Sequence, residues 1–155
     1  MMKKTLWTVL LSISISLSSS AVLAQGDAIK KAQALRQAPM KLIANNFGYM
    51  SAMAKGKMAW NADEFMARGK ELGALGQLDL LRGYVDDSYA GKTRVKPEVE
   101  LEFDDYTEKM RKFEQALRDF AAKPNADAMK LGLKDLGKSC KSCHKKYKSK
   151  EYQDH

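Results

Sequence analysis

The chain has 155 residues, with 27 Lys and Arg against 19 Asp and Glu, and so carries a net charge of +8 at pH 7. That length allows one ordinary domain with its own core, and two cysteines exclude a disulfide-dense scaffold. The basic balance alone would suit nucleic acid, but aromatic side chains are not interleaved with the basic ones as a base-stacking surface requires.

Residues 1–24 read as a secretory signal that is removed. Lys3 and Lys4 form a charged start, Leu6 to Leu17 an apolar stretch diluted by serines, and Val22-Leu23-Ala24 a cleavage site before Gln25. Too few consecutive apolar residues are present for a membrane anchor. Cleavage leaves 131 residues, 25–155, with a net charge of +6. Export to the periplasm is the expected destination.

Residues 25–155 read as four helices with no credible strand, which predicts an all-α, antiparallel four-helix bundle. The first helix is expected from about Asp27 to Ala54, with Ile29, Ala32, Arg36, Met40, Ile43, Phe47, Met50 and Ala54 on one stripe. Arg36 is the charged intruder on that stripe, and Pro39 should bend the rod. Asn61 and Glu64 resemble a capping box opening the second helix. That helix is expected to turn Phe65, Leu72, Leu75 and Leu78 inward and to end near Gly83. Its Gly69, Gly73 and Gly76 share a face that admits either another helix or a flat ring.

Tyr84 to Lys96 is the longest irregular connection. Pro97 is expected as the first residue of a third helix, whose seam runs through Val99, Phe103, Tyr106, Met110, Phe113, Leu117 and Phe120. Pro124-Asn125 breaks the chain before the fourth helix, where Met129, Leu133, Leu136, Cys140, Cys143 and Tyr147 share a stripe.

The chemistry concentrates in Cys140-Lys141-Ser142-Cys143-His144. Two thiols one helical turn apart can both reach the vinyl groups of one porphyrin, and the next side chain offers an imidazole to its iron. This pattern points to one covalently bound haem c, inserted between helices because the cysteines sit on the core stripe. Four other readings compete, the simplest being chance spacing in a motif of only five residues. A structural zinc site needs a fourth ligand, and only His155 remains. A thioredoxin-like pair opens a helix after a strand, and no strand precedes this one. A local disulfide leaves His144 unexplained.

In an antiparallel bundle the end of the fourth helix lies beside the start of the first, the end of the second and the start of the third. Met40, Arg36, Leu78 and Phe103 are therefore pocket candidates. Of the seven methionines after residue 24, only Met40 combines the right level with the right face to stand over the open side of the iron. Lys138, Lys141, Lys145, Lys146, Lys148 and Lys150 crowd the same segment with no acidic residue among them, which suits transient docking of an acidic redox partner.

The whole of residues 25–155 resembles the class II cytochromes c, the family of the cytochromes c-prime. The resemblance rests on Arg36-Gln37, Asn46-Phe47-Gly48, Lys55-Gly56 and the run from Cys140 to Lys148. It implies that Arg36 and Gln37 border the haem and its propionates, that Lys148 stands beside the proximal histidine, and that pairing through the first two helices is common. Glu100, where many members carry tryptophan, and the long connection after Gly83 depart from the pattern. Functionally the resemblance offers two outcomes. With Met40 as sixth ligand and His144 as proximal ligand, the protein is an electron carrier, the favoured reading because a thioether there can ligate iron. With Met40 not bound, it is a five-coordinate, high-spin protein that binds nitric oxide or carbon monoxide. An enzyme is not expected, because no distal group suits acid-base chemistry.

Overall fold

A computed structural model of the chain describes residues 3–86, 88–89 and 93–153, the first of these up to residue 24 as backbone only. The elements in order are α1 (Lys3–Ala54), α2 (Ala62–Leu75), β1 (Thr93–Val95), α3 (Glu98–Leu101), α4 (Phe103–Ala121), α5 (Ala126–Tyr147) and β2 (Lys148–Gln153). The expected signal segment falls on side chains outside the described residues. Helix α1 runs uninterrupted through Pro39.

Four long helices close around one apolar core. Its fully buried members are Met50, Phe65, Leu72, Leu117 and Met129, one or two from each helix. Polar chemistry sets the helix starts. The Asn61 side chain accepts from the Glu64 N–H at 3.0 Å, and Asn125 accepts from Ala128 at 2.9 Å, each satisfying a donor that the first turn leaves unpaired. Packing then selects the faces. A Cβ on Gly69 would lie 2.4 Å from Met129 Sδ, and one on Gly73 would lie 2.3 Å from the Ala121 Cβ. The glycine face of α2 is thus filled by α4 and α5, which leaves a flat ring no room against it.

Three expectations fail here. Helix α2 stops at Leu75 instead of near Gly83, because the chain continues as i→i+3 turns from Gln77 to Ala74 and from Leu78 to Leu75. The tighter winding changes the phase, so Leu78 is 50% exposed and Leu80 is buried in its place. The Leu80 N–H donates to the buried Glu114 carboxylate at 2.9 Å, and Arg111 closes on the same carboxylate at 3.0 Å. The third helix is split: Pro97 caps the single turn α3, and Glu102 (φ −127°, ψ 44°) interrupts the ladder before α4. This break turns Phe103 outward, at 37% exposure, while Val99, Tyr106, Met110, Phe113, Leu117 and Phe120 stay in the seam. Lastly, two strands exist. β1 and β2 pair antiparallel, with Thr93 opposite Gln153 and Val95 opposite Lys148.

The connection between α2 and β1 is held from within the bundle by Arg36, which is 2% exposed. Its guanidinium donates to the Gly83 carbonyl at 2.9 Å, to the Ser88 carbonyl and hydroxyl at 2.7 and 2.8 Å, and to the Thr93 hydroxyl at 3.3 Å. Tyr84 and Tyr89 flank it, their ring centroids 5.1 and 5.8 Å away. Gly83 has φ +95°, and a Cβ there would lie 2.3 Å from the Ala32 carbonyl oxygen. Only glycine permits that approach of the connection to α1.

Candidate functional site: a covalent haem centre

Cys140, Cys143 and His144 lie in the last two turns of α5, which ends when Lys148 enters the extended β2. Both cysteines are free and half-buried, and both pack against the core cluster. Burial raises the pKa of each thiol, so both are protonated at neutral pH. His144 sits farther round the helix and is exposed overall. Desolvation of its ring lowers its pKa, and repulsion from Lys148 and Arg94 lowers it further. The imidazole is therefore neutral at pH 7, with a ring nitrogen lone pair free for a metal.

The helix register fixes what lies opposite. A Cβ on Gly137 would come 3.0 Å from Phe47 Cζ, so Phe47 and Gly137 mark one level of α1 and α5. The helices run in opposite directions. Seven residues back along α1 is Met40 and seven residues forward along α5 is His144, both about 10 Å from that level. Met40 is half-buried against the same core cluster as Cys140 and Cys143. The closely packed helix pairs are α1–α2, α2–α4 and α4–α5, and α2 also meets α5, whereas α1 and α5 approach more loosely. The side of α5 toward α1 is thus the sparsely packed one, where a flat ring inserted at the cysteines would displace least.

Two observations test whether a haem suits these residues. Among the described residues no group of three or more His, Cys, Asp or Glu could cage a metal ion. An iron here needs equatorial ligands that the chain does not supply and a porphyrin does. Arg36 is a buried cation whose partners among the described residues are hydroxyls, carbonyls and rings, and among those residues its Nε has no hydrogen-bond partner. Such a group suits a cofactor that brings its own carboxylates. The residues fit the group.

The structure brings Cys143, His144 and Met40 to one level of the bundle, with Cys140 one turn earlier on α5, and places Arg36 one turn before Met40 on α1. Gln37 is half-buried beside Arg36. Leu78 and Phe103, expected in the pocket, are both exposed. Tyr84, Tyr106 and Tyr147 meet in a chain of tilted and edge-on rings with centroids 5.0 and 5.1 Å apart, of which sequence reasoning missed only Tyr84. Burial raises the pKa of both Tyr84 and Tyr106. Tyr147, on the α5 stripe, was visible as core; Tyr84 was hidden in an irregular connection that has no period to read. Arg94 was missed for the same reason.

Comparison with known proteins agrees with this geometry. The family model described as Cytochrome C' matches residues 31–148. A cytochrome c' of Allochromatium vinosum is 33% identical over 145 residues, covering 89% of this chain and 92% of that protein. A solved cytochrome c' with a ligand-controlled dimer dissociation is 29% identical, with a TM-score of 0.69 over 79% of this chain and 97% of that one. A nitric oxide complex of a leucine-to-alanine variant of cytochrome c prime from Alcaligenes xylosoxidans is 25% identical, with a TM-score of 0.66 over 79% of this chain and 97% of that one. The match spans the helices that carry Arg36, Met40 and the Cys140–His144 motif, and on this ground the chain belongs to the cytochrome c' family of four-helix-bundle proteins with covalently bound haem c.

Proposed function

We propose that the protein is a five-coordinate, high-spin haem protein that binds nitric oxide or carbon monoxide. In this reading Cys140 and Cys143 form the two thioethers, His144 is the proximal ligand, and Arg36 and Gln37 face the propionates. Met40 stands over the open face without ligating. When bound, the haem would supply an iron able to take a small diatomic ligand. The supporting observation is the apolar character of the α1 face at that level. Met40 and Ile43 pack into the hydrophobic core with Phe47 one turn on, and none offers a donor to a polar or ionic ligand. Small neutral diatomics suit such a face, and the nitric oxide complex of the Alcaligenes relative agrees with this. The reading reverses the preference for a methionine-ligated electron carrier.

Absorption spectra of the oxidised and reduced protein test it. The wild type is expected to be high-spin and to bind carbon monoxide. Met40→Ala should leave the spin state unchanged and speed carbon monoxide association about tenfold, equivalent to about 1.4 kcal/mol of steric resistance. A low-spin wild type that Met40→Ala converts to high-spin would restore the electron-carrier reading.

The signal peptide over residues 1–24, the periplasmic location and an acidic redox partner that keeps the iron ferrous belong to the same proposal. Among the described residues no helix is long and apolar enough to cross a membrane. A homodimer through α1 is part of it too. Leu35, Leu42 and Tyr49 recur every seventh residue and are 52%, 56% and 37% exposed, a stripe of coiled-coil spacing turned away from the core. Sedimentation should show a dimer for the wild type and a monomer for Leu42→Glu. Identical sedimentation of the two would remove α1 from any interface.

A further inference from the structure

The structure divides the lysine run at the end of α5 into two sets. Lys138 is paired with Asp135 at 2.7 Å, and Lys146 with Glu102 and with Asp105, the latter at 3.0 Å. Lys141, Lys145, Lys148 and Lys150 enter no ion pair among the described residues. They surround an open hollow of about 460 Å³ with His144 and Ser149 in its wall. A fifth cation comes from far along the chain. The β1–β2 pairing brings Arg94 to the rim, where its Nε and Nη2 donate to the Ser149 carbonyl at 2.9 and 2.8 Å and the Ser149 hydroxyl donates back to the Arg94 carbonyl at 3.4 Å. Among the described residues no carboxylate lines the hollow. The crowding is felt electrostatically: burial, and then repulsion from Arg94, lowers the pKa of Lys148.

Five cations held around one hollow repel one another, by about 1 kcal/mol for each pair at 4 Å even in water. A bound anion relieves that repulsion. The spacing favours an extended anion over a small one. Lys141 and Lys145 are one turn apart, and Lys148 enters β2 about 10 Å along the chain axis from Lys141, so the charges are spread wider than one small oxyanion. Carboxylates spread along a protein surface can. The hollow also adjoins His144, the residue that ties the bundle to the iron.

We propose that this hollow is the electron-entry port of the protein and docks an acidic surface segment of a one-electron donor protein. With haem bound, the donor would give up one electron and ferric iron would accept it, with no proton moved and no bond made. The inference rests on His144 being the proximal ligand, but not on whether Met40 ligates. Lys141, Lys145, Lys148, Lys150 and Arg94 steer the donor, and the complex is short-lived because the charges remain solvated at the rim.

The test uses the ferric holoprotein in stopped flow with two small donors, anionic ferrous EDTA and cationic hexaammineruthenium(II), and a hexaglutamate peptide as a stand-in for the acidic segment. Reduction by ferrous EDTA should slow at least fivefold between about 10 and 200 mM salt, because the screening length shortens from about 30 Å to below 8 Å. The triple variant Lys141→Gln, Lys145→Gln, Lys150→Gln should lose a similar factor at low salt. A control variant of equal charge change at the other end of the bundle, Lys55→Gln, Lys57→Gln, Lys70→Gln, should lose less than twofold. Hexaglutamate should slow the wild type and not the hollow variant, and reduction by hexaammineruthenium(II) should not fall in either. Equal losses in the two triple variants would show a general charge effect and overturn the port. A peptide without effect, or inorganic phosphate inhibiting as strongly at matched ionic strength, would overturn the acidic segment as occupant. The haem spectrum and carbon monoxide binding of both variants, read beforehand, separate these outcomes from failure of the gas-binding reading.

Discussion

Unfolded in acidified organic solvent, the protein should keep its haem on the polypeptide, and the double variant Cys140→Ala, Cys143→Ala should release it completely. The expectation follows from the placement of two half-buried thiols one turn apart on a helix whose next residue is His144. Thioether bonds survive conditions that unfold the bundle and protonate the imidazole, whereas axial ligation and packing do not. The single variants should each retain haem through one thioether. His144→Ala should keep covalent haem but lose the proximal ligand, which separates attachment from ligation in one set of samples. Gel electrophoresis with haem staining reads the first property, and the absorption spectrum reads the second. Wild-type polypeptide free of haem after extraction would overturn the covalent centre. The apolar surroundings of the thiols bear on assembly as well. Burial raises their pKa values, so attachment should proceed before α5 has packed fully against its neighbours.

The second large effect is expected at Arg36. Arg36→Ala removes four hydrogen bonds at once and leaves the Gly83 and Ser88 carbonyls and the Thr93 hydroxyl with only longer bonds, from Ser88 Oγ at 3.3 Å, Gln33 Nε2 at 3.4 Å and the Val95 N–H at 3.2 Å. An unsatisfied buried polar group costs about 1–3 kcal/mol, and with partial relaxation of the connection the total should be about 3 kcal/mol. Against a typical stability of about 5–15 kcal/mol, that is a large share. The change should appear as a lower urea midpoint with an unaltered slope, together with faster proteolysis between Tyr84 and Lys96. Arg36→Lys keeps the charge but not the planar fork, and should recover less than half of the loss. A midpoint shift equivalent to less than about 0.5 kcal/mol, the range of a neutral surface change, would mean that the connection is held by other contacts.

Arg36 also shows where sequence and tertiary structure divide the work. On the sequence it is a charge on an apolar stripe, which marks it as special without saying for what. Its partners Gly83, Ser88 and Thr93 come from a connection with no hydrophobic period, and only the folded chain brings them to it. Helix identity was legible wherever a period of 3.6 ran unbroken, as from Tyr106 to Phe120 and from Met129 to Leu136, because burial of one face dictates that spacing. Helix ends were less legible. Leu78 and Phe103 both sit where the winding departs from α, at the turns after Leu75 and at Glu102, and a small change of phase there exchanges buried for exposed positions.

The Cys140–His144 motif by itself determined the cofactor chemistry, because the thioether spacing and the imidazole are local along one helix. The bundle decided everything non-local: that Met40 stands level with His144, that the glycine face of α2 serves packing, and that two of six lysines are neutralised. The strand pair carrying Arg94 to the hollow is the sharpest case. Three residues of β1 and six of β2 have no core of their own. Their pairing exists because α3 and the end of α5 hold the two segments side by side, a condition that no local pattern in the sequence records.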